Sequence, residues 1–400
     1  MAEVVRVGLI GAGFLAELRA RCYFRLPGAA VELVAVAARS MESAARFAGR
    51  WSIRHAVDDW RRLLDRPDIN VIDICTPNFL HREMAIAAAQ AGKHIICTKP
   101  LTGSFGEGGD ESEQTPLPPK RAMLHAAVRD AEQMVQEAAR HGVLLMYAEN
   151  WIYAPAVQKA RRLIDVSGGV ILSISGGECH SGSHSPFSKR WRTSGGGALL
   201  RLASHPVGAA LYLKRIEGLR RMGAPIRAAS VLAETGRLSA IAQAAMPGTS
   251  WLVSDWVDVE DWGTILVTFT DGTKAVLAGS DVQLGGLQST LEVCLSNARL
   301  ICRLSPTDLC EAYAPHEAIF DGEYLLEKLE TRAGRSYPAP DEQWAHGHLH
   351  MLEDFILAVR DGRPPQSDGL LGRDVVEIIY AAYVSAEEGR RIELPPTGGV

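Results

Sequence analysis

The chain has no apolar run long enough to cross a membrane, no cluster of lysine and arginine, and no C-x-x-C pair. The first absence excludes a membrane-spanning role. The second, with a formal net charge of -5, excludes the electrostatic footprint of a nucleic-acid binder. Cysteine is sparse and odd in number, seven residues at 22, 75, 97, 179, 294, 302 and 310. They read as reduced, small apolar residues, neither a disulfide framework nor a zinc site. There is no internal repeat, and no low-complexity tract apart from residues 102 to 120. Met1 to Glu3 leads straight into an apolar strand and leaves no room for a targeting peptide, so a cytoplasmic location is expected.

What is present is a soluble globular composition, 47% hydrophobic and 22% charged over 400 residues. That length exceeds one ordinary core and predicts two domains. The chain opens on VVRVGLIGAGFLAELRA, an apolar strand, a glycine turn and a helical pattern starting at Phe14. Gly11, Gly13 and Ala16 fit Gly-x-Gly-x-x-Gly/Ala. In that pattern Gly11 makes the turn, Gly13 lets backbone approach a pyrophosphate, and the helix start at Phe14 and Leu15 faces the anion with its positive end. The second strand, VELVAVA, ends in Ala38-Arg39-Ser40, where an NAD site would place an acid for the ribose. A guanidinium there can stack on adenine and pair with a 2′-phosphate, so NADP(H) is preferred slightly over NAD(H).

Alternating helices and buried strands follow to about residue 149, predicting a doubly wound parallel sheet of the Rossmann type in an N-terminal domain of residues 1–149. In such sheets ligands lie beyond the carboxyl ends of strands. Two strand ends therefore place Thr76, Pro77, Asn78 and His81, and then Thr98, Lys99 and Pro100, on the binding edge. Residues 102 to 120 carry glycine, acid and proline without periodicity and read as a lid or an inserted loop.

From residue 150 to 400 the pattern changes to alternating segments at 170–179, 226–234, 263–270, 273–280, 288–295 and 298–304, with hairpin signals such as TDGTK. These predict an open, mainly antiparallel sheet with helices on one face, an α+β arrangement. Its second face needs cover, so a homo-oligomer is expected through it. Helices at 341–361 and 372–388 close the chain and are placed to pack back toward the first domain. Gly195, Gly196 and Gly197 open a helix on which Arg201 and His205, four apart, share one face. Tyr153, Trp191 and Arg192 fall in segments that border the cleft.

GAGFLAE, CTPNFLH, AGKH and TKP, at these spacings, resemble the Gfo/Idh/MocA oxidoreductases. The resemblance implies an NAD(P)-dependent enzyme acting on a sugar, polyol or related molecule. It also implies a Glu-Lys-Pro signature, in which Thr98 here replaces the acid and Lys99 is the residue beside the substrate hydroxyl. It further implies a G-G-G-x-L-x-D-x-x-x-H pattern, in which His205 is the proton-transfer residue and Arg201 stands where the family has Asp. Alcohol oxidation needs a base at the oxygen while hydride leaves the carbon, and imidazole suits that task near neutral pH.

Arg201 reverses the local charge. It lowers the pKa of His205 and offers a fork to a carboxylate, giving an anionic substrate, or else it pairs with an acid in the pocket. Two other functions stay open: redox-assisted cleavage of a glycosidic bond, and a catalytically silent dinucleotide and sugar sensor. No metal is expected, because Cys179, His180 and His184 with His205, and His346, His348 and His350, match no strong ligand spacing. Asp255, Asp258, Glu260 and Asp261 read as a strand entrance with a solvated face.

Overall fold

The structure is a computed structural model, and it describes residues 4–26, 30–106, 116–248 and 251–395. Strands β1 (Val5–Ile10), β2 (Val31–Ala37), β3 (His55–Val57), β4 (Val71–Ile74), β5 (His94–Thr98) and β6 (Leu145–Ala148) form one sheet. Its order is β3-β2-β1-β4-β5-β6, all neighbours parallel, with the reversal of order between β1 and β4. Nearly every side chain of β1, β4 and β5 is buried, as a sheet covered on both faces requires. Helices α1 (Phe14–Tyr23), α2 (Met41–Trp51), α3 (Arg61–Leu64), α4 (His81–Gln90) and α5 (Lys120–Arg140) supply that cover. Of the lid expected at residues 102 to 120, 107–115 lie outside the described residues; Leu101 to Ser104 are buried, and Lys120 opens α5.

A turn at Asn150–Tyr153 leads into α6 (Pro155–Ser167) and then the second sheet. This comprises β7 (Ile171–Cys179), β8 (Ala228–Gly236), β9 (Trp262–Phe269), β10 (Lys274–Ser280), β11 (Gln288–Leu295), β12 (Arg299–Ser305) and a closing strand, Ile392–Glu393. Every pair is antiparallel except β7 with β10, so the sheet is mixed. That exception arises because β7 is threaded between β10 and β11, which come later in the chain.

After α7 (Trp191–Ser194), the turn Leu199–Ala203 and α8 (Ser204–Met222) cover one face. On the other, Leu172, Leu232, Val276 and Ile301 stand exposed at alternating positions. Neither α9 (Leu238–Ala245) nor the small hairpin of Ala312–Ala314 with Gly334–Ser336 was expected from the residue pattern. The helix expected at 341–361 is divided at Gly347 into α10 (Glu342–Ala345) and α11 (His348–Asp361). The last helix, α12 (Gly369–Glu388), lies against α5 of the first sheet and against α8 and β8 of the second, joining the two halves.

Candidate active site

The cofactor edge is shaped by what its residues omit. Gly11 has φ +115°, and a Cβ there would lie 2.7 Å from the Cys75 carbonyl at the end of β4, so only glycine turns the chain this close to the neighbouring strand. Gly13 caps α1 without any side-chain hydrogen bond, and open space surrounds the position of its missing Cβ. The first amides of α1 therefore face an empty concavity, which fits a pyrophosphate. Phe14 beside it is exposed and Leu15 half-buried. Arg39 is exposed beyond β2, its guanidinium carbon 6.0 Å from the centre of the Phe187 ring, and the Ser40 hydroxyl caps α2 by accepting from Ser43 N–H at 3.2 Å.

The register of β5 and β6 builds the next layer. Thr98 is opposite Ala148, so Lys99 and Glu149 leave adjacent strands side by side. The Lys99 ammonium donates to the Arg201 carbonyl, which ties it to the turn just before α8. One residue into α8, His205 is buried with Nδ1 at 2.8 and 3.0 Å from the two Glu149 carboxylate oxygens. Trp151 stacks on its ring at 5.7 Å and 9°. Glu178, from β7, brings a carboxylate oxygen within 3.7 Å of Nε2. Lys99, Glu149, Glu178 and His205 thus converge from four segments on one spot.

Electrostatics there favour neutral groups, because burial is the first cause throughout. It lowers the Lys99 pKa against the pull of the Glu178 and Glu149 carboxylates. Burial, then the Lys99 charge, then His348 and His346, push His205 well below the ordinary histidine value, leaving a neutral imidazole. Burial raises the carboxyl of Glu149, and it raises that of Glu178 to about 7 with Lys99 opposing. When Glu149 is ionised, the form that Lys99 favours against burial, it accepts the Nδ1 proton and leaves the lone pair of His205 on Nε2. That arrangement can take a proton from an oxygen and hold an ammonium near the charge that develops there.

Comparison with known proteins now bears on this geometry. Residues 5–111 match the Gfo/Idh/MocA oxidoreductase family model described as an NAD-binding Rossmann fold, and residues 157–301 match that family's C-terminal domain. The chain belongs to the Gfo/Idh/MocA oxidoreductase family. Levoglucosan dehydrogenase of Pseudarthrobacter phenanthrenivorans is 38% identical over 221 residues, 52% of this chain and 51% of that enzyme, so the match spans about half of the relative. D-apiose dehydrogenase of Paraburkholderia graminis is 25% identical over 402 residues, covering 96% of this chain and 88% of the relative. The crystal structure of GenD2 from gentamicin A biosynthesis, in complex with NAD, superposes with a TM-score of 0.80 at 25% identity over 99% of this chain and 98% of that one.

Several residues expected on the binding edge of this Gfo/Idh/MocA chain have other partners. His81 is fully buried, Nδ1 at 3.0 Å from the Pro100 carbonyl and Nε2 at 3.0 Å from that of Thr76, so it pins two strand ends together and does not face a ligand. The Asn78 amide donates to the Ser194 carbonyl at 2.7 Å, bridging the two halves. Thr76 contacts Met84. Tyr153 is buried, donating to Asp354 at 2.7 Å and accepting from Ser367 N–H at 3.0 Å. Trp191 donates from its indole to the Ser104 carbonyl at 2.9 Å and packs on Tyr383, and the Arg192 guanidinium lies against Gly106.

Arg201 lies in the π-helical turn Leu199–Ala203 and His205 in the α-helix that follows, and the two side chains take different partners. Arg201 pairs with the buried Asp281 and lies 4.9 Å over Trp256, and its charge falls on Lys99 and His180, not on His205. Thr98, in place of the family's acid, meets the buried Arg19, which pairs with Asp73.

The acidic stretch is solvated only in part: Asp255 and Asp258 are exposed, whereas Glu260 and Asp261 are buried. Glu260 holds the glycine turn, accepting from Gly197 N–H at 2.9 Å and Leu199 N–H at 3.0 Å, and Asp261 caps α9. Asp258 accepts from Trp191 N–H at 2.6 Å. Among the described residues, no group of three or more His, Cys, Asp or Glu side chains is arranged to hold a metal ion. Glu149 and Glu178 escaped the sequence reading. The signal for Glu149 was its place after the sixth strand, the position that Lys99 holds after the fifth.

Proposed function

We propose that the chain is an NAD(P)-dependent dehydrogenase of a sugar or polyol, with His205 as the base, Lys99 as the electrostatic partner of the reacting oxygen, and Glu149 and Glu178 as its proton-handling carboxyls. The observation that carries this reading is the convergence of Glu149 and Glu178 on the two nitrogens of His205, with the Lys99 ammonium held nearby by the Arg201 carbonyl. Bound nicotinamide supplies the hydride acceptor, and Gly11, Gly13 and the start of α1 would hold its pyrophosphate.

His205 Nε2 takes the hydroxyl proton, and Glu149 keeps the ring in the tautomer that makes this possible. The Lys99 ammonium offsets charge building on the oxygen. Glu178, near the ring and with a carboxyl raised to about 7, accepts the proton onward. Likeness to levoglucosan dehydrogenase and D-apiose dehydrogenase supports a carbohydrate substrate. Because Asp281 occupies Arg201, and three carboxyl groups, Glu149, Glu178 and Glu327, act on Lys99, a neutral substrate fits better than an anionic one. Arg39 favours NADP(H) alongside NAD(H), and the exposed row Leu172, Val276 and Ile301 favours pairing of two chains through the second sheet.

The test is a panel of sugars, polyols and sugar acids offered with NAD+ and NADP+. Accumulation of reduced cofactor with a neutral polyol is the expected result. Recycling of the cofactor while an anomeric product appears, or binding with no turnover, contradicts the reading.

A further inference from the structure

Two imidazoles outside the catalytic group stand against it without protein partners. His346 is 7% exposed, and His348 is half-buried. Among the described residues, neither side chain has a hydrogen-bond partner, and His346 Nε2 and His348 Nδ1 are wholly enclosed. Their rings lie 6.4 Å apart. A buried polar nitrogen without a partner is costly, so a pair of such rings calls for an explanation.

Gly347, between them, explains how they come to the site. It has φ +85°, and a Cβ there would lie 2.4 Å from both the Asn150 carbonyl oxygen and the Ala154 nitrogen. The chain therefore presses directly on the turn Asn150–Tyr153, and the Asn150 side chain fastens it by donating to the His346 carbonyl at 2.8 Å. That turn begins one residue after Glu149 and carries Trp151, which stacks on His205. His346 and His348 are thus delivered beside the catalytic imidazole from a part of the chain, after residue 301, that neither matched family segment includes.

We propose that His346 and His348 form a hydroxyl-reading wall of the substrate site, each ring bonding one hydroxyl of a neutral polyol next to the carbon that is oxidised. This rests on the dehydrogenase reading above. Neutral imidazole carries one donor and one acceptor, as a hydroxyl does, so two such rings suit a diol and offer nothing special to a carboxylate. Both rings are held neutral: burial, with Glu327 opposing, brings His346 to about 4, and burial, Arg19, His346 and Lys99 lower His348. The second nitrogen of each ring, His346 Nδ1 and His348 Nε2, has no protein partner among the described residues and is not enclosed, so it is the one a substrate hydroxyl reaches, and a substrate without that hydroxyl leaves it unpaired.

The experiment uses the full chain with NAD(H), probed with levoglucosan, myo-inositol, D-glucose and their monodeoxy analogues. His346→Leu and His348→Leu remove no protein hydrogen bond, and His346→Gln and His348→Gln keep a donor and an acceptor. The expected result is a loss of about tenfold to a hundredfold in kcat/KM for the parent polyol in each Leu variant, carried mainly by KM. One monodeoxy analogue should be turned over equally by wild type and that variant, and the Gln variants should recover most of the loss. NADH affinity should not change.

Parent and deoxy substrates falling by the same factor in the Leu variants, or the Gln variants failing like Leu, overturns the wall. Polyol binding to the NADH complex, followed by thermal shift, separates the two claims. Binding that is lost selectively in the Leu variants without any turnover in wild type supports the wall and sinks the dehydrogenase. Turnover in wild type that both Leu variants match does the opposite, and absence of polyol binding overturns the wall.

Discussion

Replacing Glu149 by glutamine changes one oxygen to an NH2 and keeps the shape, yet its effect on catalysis should be severe. The carboxylate accepts from His205 Nδ1 at 2.8 and 3.0 Å, and one of its oxygens also accepts from Trp151 N–H at 3.0 Å. An amide has a single acceptor oxygen. If that oxygen keeps the Trp151 amide it still lies 2.8 Å from Nδ1, but the NH2 in the place of the second oxygen, 3.0 Å from Nδ1, competes to donate to the ring and favours its proton on Nε2. No negative charge then remains to stabilise the imidazolium formed in the reaction. Losing a positioned base costs about 10² to 10⁴ in kcat, or about 2.7 to 5.4 kcal/mol of barrier.

Folding should not suffer. Burial raises the Glu149 carboxyl, so the native state binds its proton more tightly than the unfolded chain does. The ionised residue therefore costs stability as pH rises from the ordinary carboxylate range through the raised native value, and glutamine removes that cost. Initial rates of NAD(P) reduction, NADH affinity and thermal melts across pH check all three points. A Glu149→Gln enzyme within about threefold of wild-type kcat would refute the reasoning.

Glu178→Gln should abolish the inflection near pH 7 in the oxidation rate: the raised carboxyl gains accepting capacity as pH climbs through about 7, and an amide has none to gain. A pH profile of kcat that keeps this limb would contradict the relay. Gly11→Ala drives a Cβ toward the Cys75 carbonyl 2.7 Å away in a left-handed backbone, and should weaken NADH binding at least about tenfold by titration. Arg39→Ala should lower NADP(H) affinity while leaving NAD(H) affinity within about twofold; equal losses would show that the guanidinium does not meet a 2′-phosphate. Ile301→Asp and Val276→Asp, on the exposed sheet face, should shift the chain to a smaller species in sedimentation if that face pairs two copies.

The first sheet was legible because its signals are local. Buried runs such as Val71–Ile74 bounded by turn residues, and a glycine turn closing on a helix, state both the strand and its edge. The second sheet was legible as strands but not in its order, since the parallel pairing of β7 with β10 is a long-range choice that alternation does not encode. Lys99 and His205 were singled out by signatures, and the fold brings them near one another. Glu149 and Glu178 were missed because a lone glutamate at a strand end has no pattern of its own, and only register shows that it meets a histidine 56 residues later. His81, Tyr153 and Trp191 were placed at the edge by position along the chain, whereas their buried partners, the carbonyls of Thr76 and Pro100, Asp354 and Ser104, decide otherwise. The roles of Arg201 and His205 diverge for a similar reason: a spacing of four does not reveal that Arg201 is taken by the buried Asp281 while His205 meets Glu149.

The central claim is that one ammonium and one imidazole act on the same substrate oxygen during hydride transfer. It is tested most directly by rapid mixing of the NAD(P)+ complex with a polyol that turns over, in wild type, Lys99→Met and His205→Asn, following reduced nicotinamide in the first turnover. The account predicts that both variants bind cofactor and polyol and yet transfer hydride at least about a hundredfold more slowly, with the double variant little worse than either alone. Wild-type hydride transfer in either variant would contradict it.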